Sequence, residues 1–260
     1  MAECHLPPNL DELVSYQPLP HLLWRIGEWQ ALCRIEMCPP ILDLGCGDGW
    51  FGRMLYRDEA ACGVDWSRQK ARQAGQLGVY RHTLVADTAQ LPFRSGVWNT
   101  IVANSTLEHV VELDATLTEA RRVLQPGGHL YVTVPSEHFT GLLLHTRWLS
   151  YIRMHKLAAA YGRWLNRQLD HFHCWNVESW RSSLAKAGLE LLSAEPLLPG
   201  AAIAMWDGLL PAQFFLRRAN RVLPWYRWLR RLRRAVLERW AAHLEMYPGE
   251  VGAVWLLVAQ

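Results

Sequence analysis

Residues 41–51 read Ile41-Leu42-Asp43-Leu44-Gly45-Cys46-Gly47-Asp48-Gly49-Trp50-Phe51. A short apolar run gives way to three glycines at alternate positions, and a helical pattern follows from Phe51 to Arg57. A strand that passes through a glycine turn into a helix is the context in which a nucleotide-like ligand meets backbone. Glycine allows the tight turn and removes the Cβ that would hold a ligand away. The same spacing also suits a plain strand-to-helix turn. It is not the G-x-G-x-x-G of dinucleotide binders, so it implies no pyrophosphate cradle.

On both sides of this loop the chain keeps a regular rhythm. ACGVD (61–65) reads as a strand and Arg68 to Gln76 as a helix; LVAD (84–87) ends a third strand. NTIVAN (99–104) is a fourth strand and Glu112 to Leu124 an amphipathic helix. HLYVTV (129–134) is a fifth strand, opened by a turn at Pro126-Gly127-Gly128. Glu178 to Ala187 reads as a helix stopped by Gly188, followed by strands at 189–195 and 252–260. Upstream, 1–40 is punctuated by proline around a helix from His21 to Glu36. Strands alternating with helices predict an α/β fold: a doubly wound, mostly parallel seven-stranded sheet with its ligand at the strand C-termini.

The rhythm breaks twice, at 139–170 and 196–248, and both segments read as helical insertions, one after strand five and one between the last two strands. The expected organisation is a single domain, 1–260. It has an N-terminal helical cover (1–40), a cofactor-binding core (41–135) and two insertions that cover the substrate. Leu197 to Leu216 is apolar, but Asp207, two prolines and two glycines interrupt it. A spanning helix needs about 20 mostly apolar residues, so this stretch reads as buried or interfacial.

Composition narrows the classes. Of 260 residues, half are hydrophobic and a fifth charged, which excludes disordered, collagen-like and disulfide-scaffold chains. Six cysteines form no C-x-x-C pair, and MAECHLPPNL lacks a charged head followed by an apolar run. The expectation is a reducing, cytoplasmic compartment. The net charge of +3 is uneven: 213–240 holds nine Arg and one Glu, and 141–170 holds four Arg, one Lys and one Asp.

Carboxylates follow the loop at informative places. Asp65 ends the second strand, 20 residues after Gly45, where it could accept both hydroxyls of a ribose. Asp87 ends the third, where it could reach an adenine amino group or simply close a turn.

ILDLGCGDGWF, GVDWS, VADTAQLPF, NTIVANSTLEHV and RRVLQPGGHLYVTVPS stand in one order and spacing. In this the chain resembles class I methyltransferases that use S-adenosylmethionine, above all the methyltransferase type 11 group, which acts mainly on small molecules and lipids. The resemblance is strong over 41–135 and weaker at 175–195 and the last strand. It implies a Rossmann-like methyltransferase fold and S-adenosylmethionine as cofactor. Gly45, Cys46, Gly47 and Gly49 would pass the methionine part, with Asp43 orienting the loop and holding the amino group. Asp65, with Trp66 beside it, would hold the ribose, Asp87 and Thr88 the adenine, and Asn104 would line the space near the methyl. Leu91 and Phe93 are packing in the group's LPF turn.

A sulfonium methyl is already activated, so a base is needed only for a protonated nucleophile. Candidate bases are His109 beside Glu108, His138 after strand five, and His171 or His173 in DHFHCW (170–175), because imidazole titrates near neutrality. Each has a structural alternative, a helix cap in the case of His138. His171, His173 and Cys174 form no complete metal set, and no metal is expected. On a helical wheel, Trp225, Trp228, Leu229, Leu232, Val236 and Trp240 gather opposite Arg227, Arg230, Arg231 and Arg234. Residues 142–169 repeat this more weakly, with Trp148, Ile152 and Leu165 against Arg147, Arg153, Arg163 and Arg167. Such a face suits either a solvated lid helix or an anionic membrane surface. NSTL at the end of strand four departs from the N/D-P-P-Y/F of enzymes that methylate exocyclic base amines, which argues against that class of nucleic-acid substrate and leaves ring or ribose methylation of RNA open. The expected partner is a small, lipid-like acceptor. RNA or protein methylation and a non-catalytic cofactor binder are the alternatives.

Overall fold

The computed structural model describes residues 6–56, 61–219, 230–241, 244, 246, 247 and 249–260. They divide into two compact units. One comprises Ile35–Glu137, Asp170–Glu195 and Val254–Gln260; the other comprises Met1–Arg34, His138–Leu169 and Pro196–Ala253.

The strands among the described residues are β1 (Ile41–Leu44), β2 (Ala61–Asp65), β3 (His82–Val85), β4 (Trp98–Asn104), β5 (Leu124–Pro135), β6 (Leu191–Pro199) and β7 (Gly252–Ala259). They form one sheet in the order β3-β2-β1-β4-β5-β7-β6. β1 to β5 pair parallel, and β7 runs antiparallel to β5 with Leu130 opposite Ala259. The helices before β5 are α1 (Leu10–Tyr16), α2 (Leu19–Leu32), α3 (Trp50–Leu55), α4 (Arg68–Gln76) and α5 (Leu113–Val123). After it come α6 (Phe139–Leu142), α7 (Leu144–Tyr151), α8 (His155–Gln168), α9 (Val177–Lys186), α10 (Gly200–Ala219) and α11 (Arg230–Ala241).

In the sheet unit, Leu42, Leu44, Ile101 and Val132 are buried with Leu117 of α5 and Trp180 of α9. Parallel strands covered on both faces read as continuous apolar runs, which is why β1 and β2 were legible. The helix starts are locally encoded. The Ser67 side chain accepts the Lys70 N–H ahead of α4, and Asn176 accepts the Ser179 N–H ahead of α9, each filling an orphan donor of a first turn. Gly188, at φ 79°, follows α9.

Three boundaries differ from the sequence reading for visible reasons. β5 begins at Leu124, not after the Pro126-Gly127-Gly128 turn. Trp98 pairs with Leu124 and Thr100 with His129, so the turn is a bulge inside the strand. β3 stops at Val85, because Asp87 accepts the Ala89 N–H and turns the chain. The insertion at 139–170 is not one helix: buried Leu143 is extended between α6 and α7, and Arg153 at φ 62° separates α7 from α8.

The helical unit has its own core. Trp24 of α2, Phe139 of α6 and Trp206 of α10 form an aromatic triangle with centroids 5.4–5.9 Å apart. No described helix is long and apolar enough to cross a membrane. α10, from the apolar stretch, instead buries Ala202, Ile203 and Trp206 and carries Pro211. α1, which sequence reading missed, is held by Arg233 of α11, whose guanidinium donates to the carbonyls of Val14 and Gln17. Helix C-terminal carbonyls lack internal partners, and a buried guanidinium supplies them here.

That contact corrects the helical wheel. On α11, Arg233, Leu237, Trp240 and Ala241 are buried, whereas Leu232 is 60 % exposed. Arg234 is exposed but engaged, 2.7 Å from both Asp11 and Glu238. Trp225, Arg227, Trp228 and Leu229 lie outside the described residues. In the other basic segment Leu165 is buried, while Trp148 and Ile152 are exposed.

Candidate functional site

β1 hands the chain to α3 through Gly45, Gly47 and Gly49, at φ 82°, 57° and 86°. Their surroundings differ. A Cβ on Gly45 would sit 2.3 Å from Thr106 Cγ2, so that glycine is demanded by packing against the loop after β4. A Cβ on Gly47 would meet nothing within 4 Å. Its backbone is therefore open on the side where a ligand could approach.

Asp65, at the end of β2, closes the loop. Its Oδ2 accepts the Gly47 N–H at 3.0 Å and its Oδ1 the Ser67 N–H at 2.8 Å. A carboxylate has about four acceptor positions, so two bonds leave capacity for hydroxyl donors. Asp43 is buried and accepts the Tyr80 hydroxyl at 2.7 Å. Burial, then the Asp43 charge, raises the Tyr80 and Tyr56 hydroxyls well above the usual phenol range, so both stay protonated. Sequence reading passed over Tyr80. Its trace is Gly52 on α3, where a Cβ would lie 2.1 Å from the Tyr80 hydroxyl oxygen.

The other expected cofactor residues lie as follows. Cys46 is buried within the loop, and desolvation with the Asp43 and Asp65 charges raises its thiol far above the ordinary range. Trp66 is 78 % exposed beside Asp65. Asp87 is exposed and closes its turn, while Thr88 is buried with its hydroxyl 3.0 Å from that of Thr116. Asn104, buried at the end of β4, accepts the Thr133 hydroxyl at 2.8 Å. Leu91 and Phe93 are pinned from α5: Arg122 donates to both carbonyls and Glu119 accepts the Leu91 N–H. These residues all belong to the sheet unit. The glycine cradle, the spare acceptors of Asp65 and the exposed Trp66 and Asp87 fit an adenosine with an amino-acid tail.

The candidate bases separate. His138 belongs to the helical unit and precedes α6 without capping it through its side chain. His173 serves the core: its Nε2 is 2.8 Å from the Val110 carbonyl and its ring is 4.7 Å from Trp175. His109 and His171 come together, with ring centroids 5.4 Å apart and Glu108 alongside. Burial, and then His109, pushes His171 down to about 3. It stays neutral at neutral pH and is a weak proton acceptor, which counts against it as a base. Cys174 is pushed up to about 12 by burial and the Glu108 charge.

A family profile for the methyltransferase domain matches residues 15–194. The chain belongs to that family, the class I methyltransferases that use S-adenosylmethionine. Among curated relatives, malonyl-[acyl-carrier protein] O-methyltransferase of Geobacter sulfurreducens is 40 % identical over 34 % of this chain and 35 % of its own. The 2-methyl-6-phytyl-1,4-hydroquinone methyltransferase of Synechocystis is 24 % identical over 74 % of this chain and 61 % of its own. The match thus spans less than two thirds of either relative. A S-adenosylmethionine-dependent methyltransferase of known structure from Thermotoga maritima superposes with TM-score 0.60 at 18 % identity, over 93 % of this chain and 91 % of that one. The chain shares the seven-stranded, mostly parallel sheet of that fold.

Proposed function

We propose that this methyltransferase transfers a methyl group to a small, lipophilic acceptor that reaches it from a lipid phase. S-adenosylmethionine supplies a methyl on a positively charged sulfur; the acceptor's lone pair forms the new bond as the carbon–sulfur pair leaves with sulfur. A hydroxyl acceptor also gives up its proton, to water or a side chain. The work of the chain is to hold the two partners in line and exclude water. Asp65 and the Gly47 backbone would hold the donor, and Asn104, bonded to Thr133, would line the space beyond β4.

One observation carries the acceptor reading. α7 buries no side chain, and Trp148, Tyr151, Ile152, Leu157 and Trp164 along α7 and α8 are exposed. Arg147, Arg153, Lys156, Arg163 and Arg167 are exposed among them. Exposed aromatic and aliphatic surface edged by cations suits lipid-like molecules and anionic lipid. The phytyl-hydroquinone in the name of one relative agrees with this reading. The test is methyl-labelled S-adenosylmethionine with a lysate of the source organism, split into organic, aqueous and macromolecular fractions. Label is expected in the organic fraction. Label confined to RNA or protein would replace this reading with polymer methylation, and cofactor binding without any label would favour the non-catalytic alternative.

A further inference from the structure

We propose that Glu108, His109 and His171 form a binding site for one divalent transition-metal cation, of the zinc, manganese or cobalt kind, at the C-terminal end of β4. Two imidazole nitrogens and one carboxylate oxygen offer donor atoms that lie within 4.8 Å of one another. Bonds to such cations run about 2.0–2.2 Å, so neighbouring donors close to about 3 Å. The closure would fall on His109, the solvent-facing member, whose side chain is 41 % exposed. Mixed nitrogen and carboxylate donors suit transition divalents, whereas calcium and magnesium prefer oxygen alone.

The arrangement is organised for this in three ways. The two contributing segments are tied by the Phe172 N–H, which donates to the Glu108 carbonyl at 2.8 Å. His109 Nδ1 stands 3.1 Å from the Asp170 carbonyl. A carbonyl only accepts, so Nδ1 carries a proton, and in the neutral ring it is Nε2, 3.7 Å from Glu108 Oε1, that can ligate. A backbone carbonyl behind a ligating imidazole fixes tautomer and ring orientation in metal sites generally. Finally, Glu108 is 1 % exposed whereas His109 opens to solvent. A cation there would be anchored on one side and keep positions for water or another ligand on the other, the pattern of working sites rather than closed structural ones.

The site lies four residues beyond Asn104 on the same chain segment. If the methyl-transfer reading above holds, the open positions would bind an acceptor oxygen and ease loss of its proton to water as that oxygen attacks the methyl. The cation site itself does not depend on that reading.

The test therefore uses neither cofactor nor acceptor. The full chain is stripped with a chelator and titrated with Co(II), read by visible absorption and calorimetry. One equivalent is expected, displaced by Zn(II). Glu108→Gln, His109→Ala and His171→Asn should each weaken binding by about 100-fold or more, while His155→Ala, an exposed histidine on α8, should not. Circular dichroism melting separates lost ligands from lost fold, and Glu108→Gln keeps the side-chain shape. Absence of saturable cobalt binding in the wild type overturns the proposal. So does binding that only His109→Ala reduces, since that is a lone surface imidazole.

Discussion

Gly45 and Gly47 share a residue type and a positive φ but not a role. An alanine at either position bears the left-handed backbone cost of about 1–2 kcal/mol. At Gly45 it also meets Thr106. Gly45→Ala should therefore lower the melting temperature more than Gly47→Ala. Gly47→Ala should weaken cofactor binding out of proportion to its effect on stability. Equal melting and equal affinity in the two variants would mean that Gly47 does not face the cofactor. Tyr80→Phe should destabilise by about 1–3 kcal/mol, read from urea unfolding, because it removes a hydroxyl that serves the buried Asp43 carboxylate. The glycines and aspartates stood out in the sequence because strand ends and turns restrict residue type. Tyr80 did not, because its partner is 37 positions away and no spacing rule links them. His171 was visible as a histidine, but its burial was not.

Among the elements, α10 shows how a polar residue can sit within an apolar stretch. Asp207 is fully buried, accepts the His145 backbone N–H at 2.9 Å and stands 2.8 Å from His145 Nδ1, and it also accepts the Tyr161 hydroxyl. One carboxylate thus ties α10 to α7 and α8. Asp207→Ala strands those donors and should cost about 3 kcal/mol, seen as a lower urea midpoint. No change would mean that the cluster contributes nothing net. α7 and α8 carry the second prediction at this scale. The protein should sediment with anionic vesicles at low salt, less as salt screens the cations, and Trp148→Asp with Tyr151→Asp should release it. Failure of the wild type to bind would contradict the lipid-phase part of the reading. The helical pattern of the sequence found α5 and α9. The helical wheel misplaced Leu232 on α11, because Arg233 is buried to serve the end of α1 and Leu232 faces outward.

At the scale of the molecule, the sheet was legible because β1, β2, β4 and β5 are apolar runs, with α3, α4 and α5 as helical connections beside them. The loop, Asp65, Asp87 and Asn104 all fall at strand C-termini, where such sheets bind ligands. The acceptor side was not legible, because insertions follow no shared period and α7–α8 break at residues that carry no proline or glycine signal. Everything proposed about the reaction rests on the sheet unit holding S-adenosylmethionine through Asp65. The direct measurement is calorimetric titration of the wild type and Asp65→Ala with S-adenosylhomocysteine, with melting curves to confirm that both are folded. One saturable site is expected in the wild type. Charge-assisted hydrogen bonds contribute about 1.5–3 kcal/mol each, so Asp65→Ala should bind about 100-fold more weakly or worse. Equal affinity in the two proteins, or no binding by the wild type, would contradict the account.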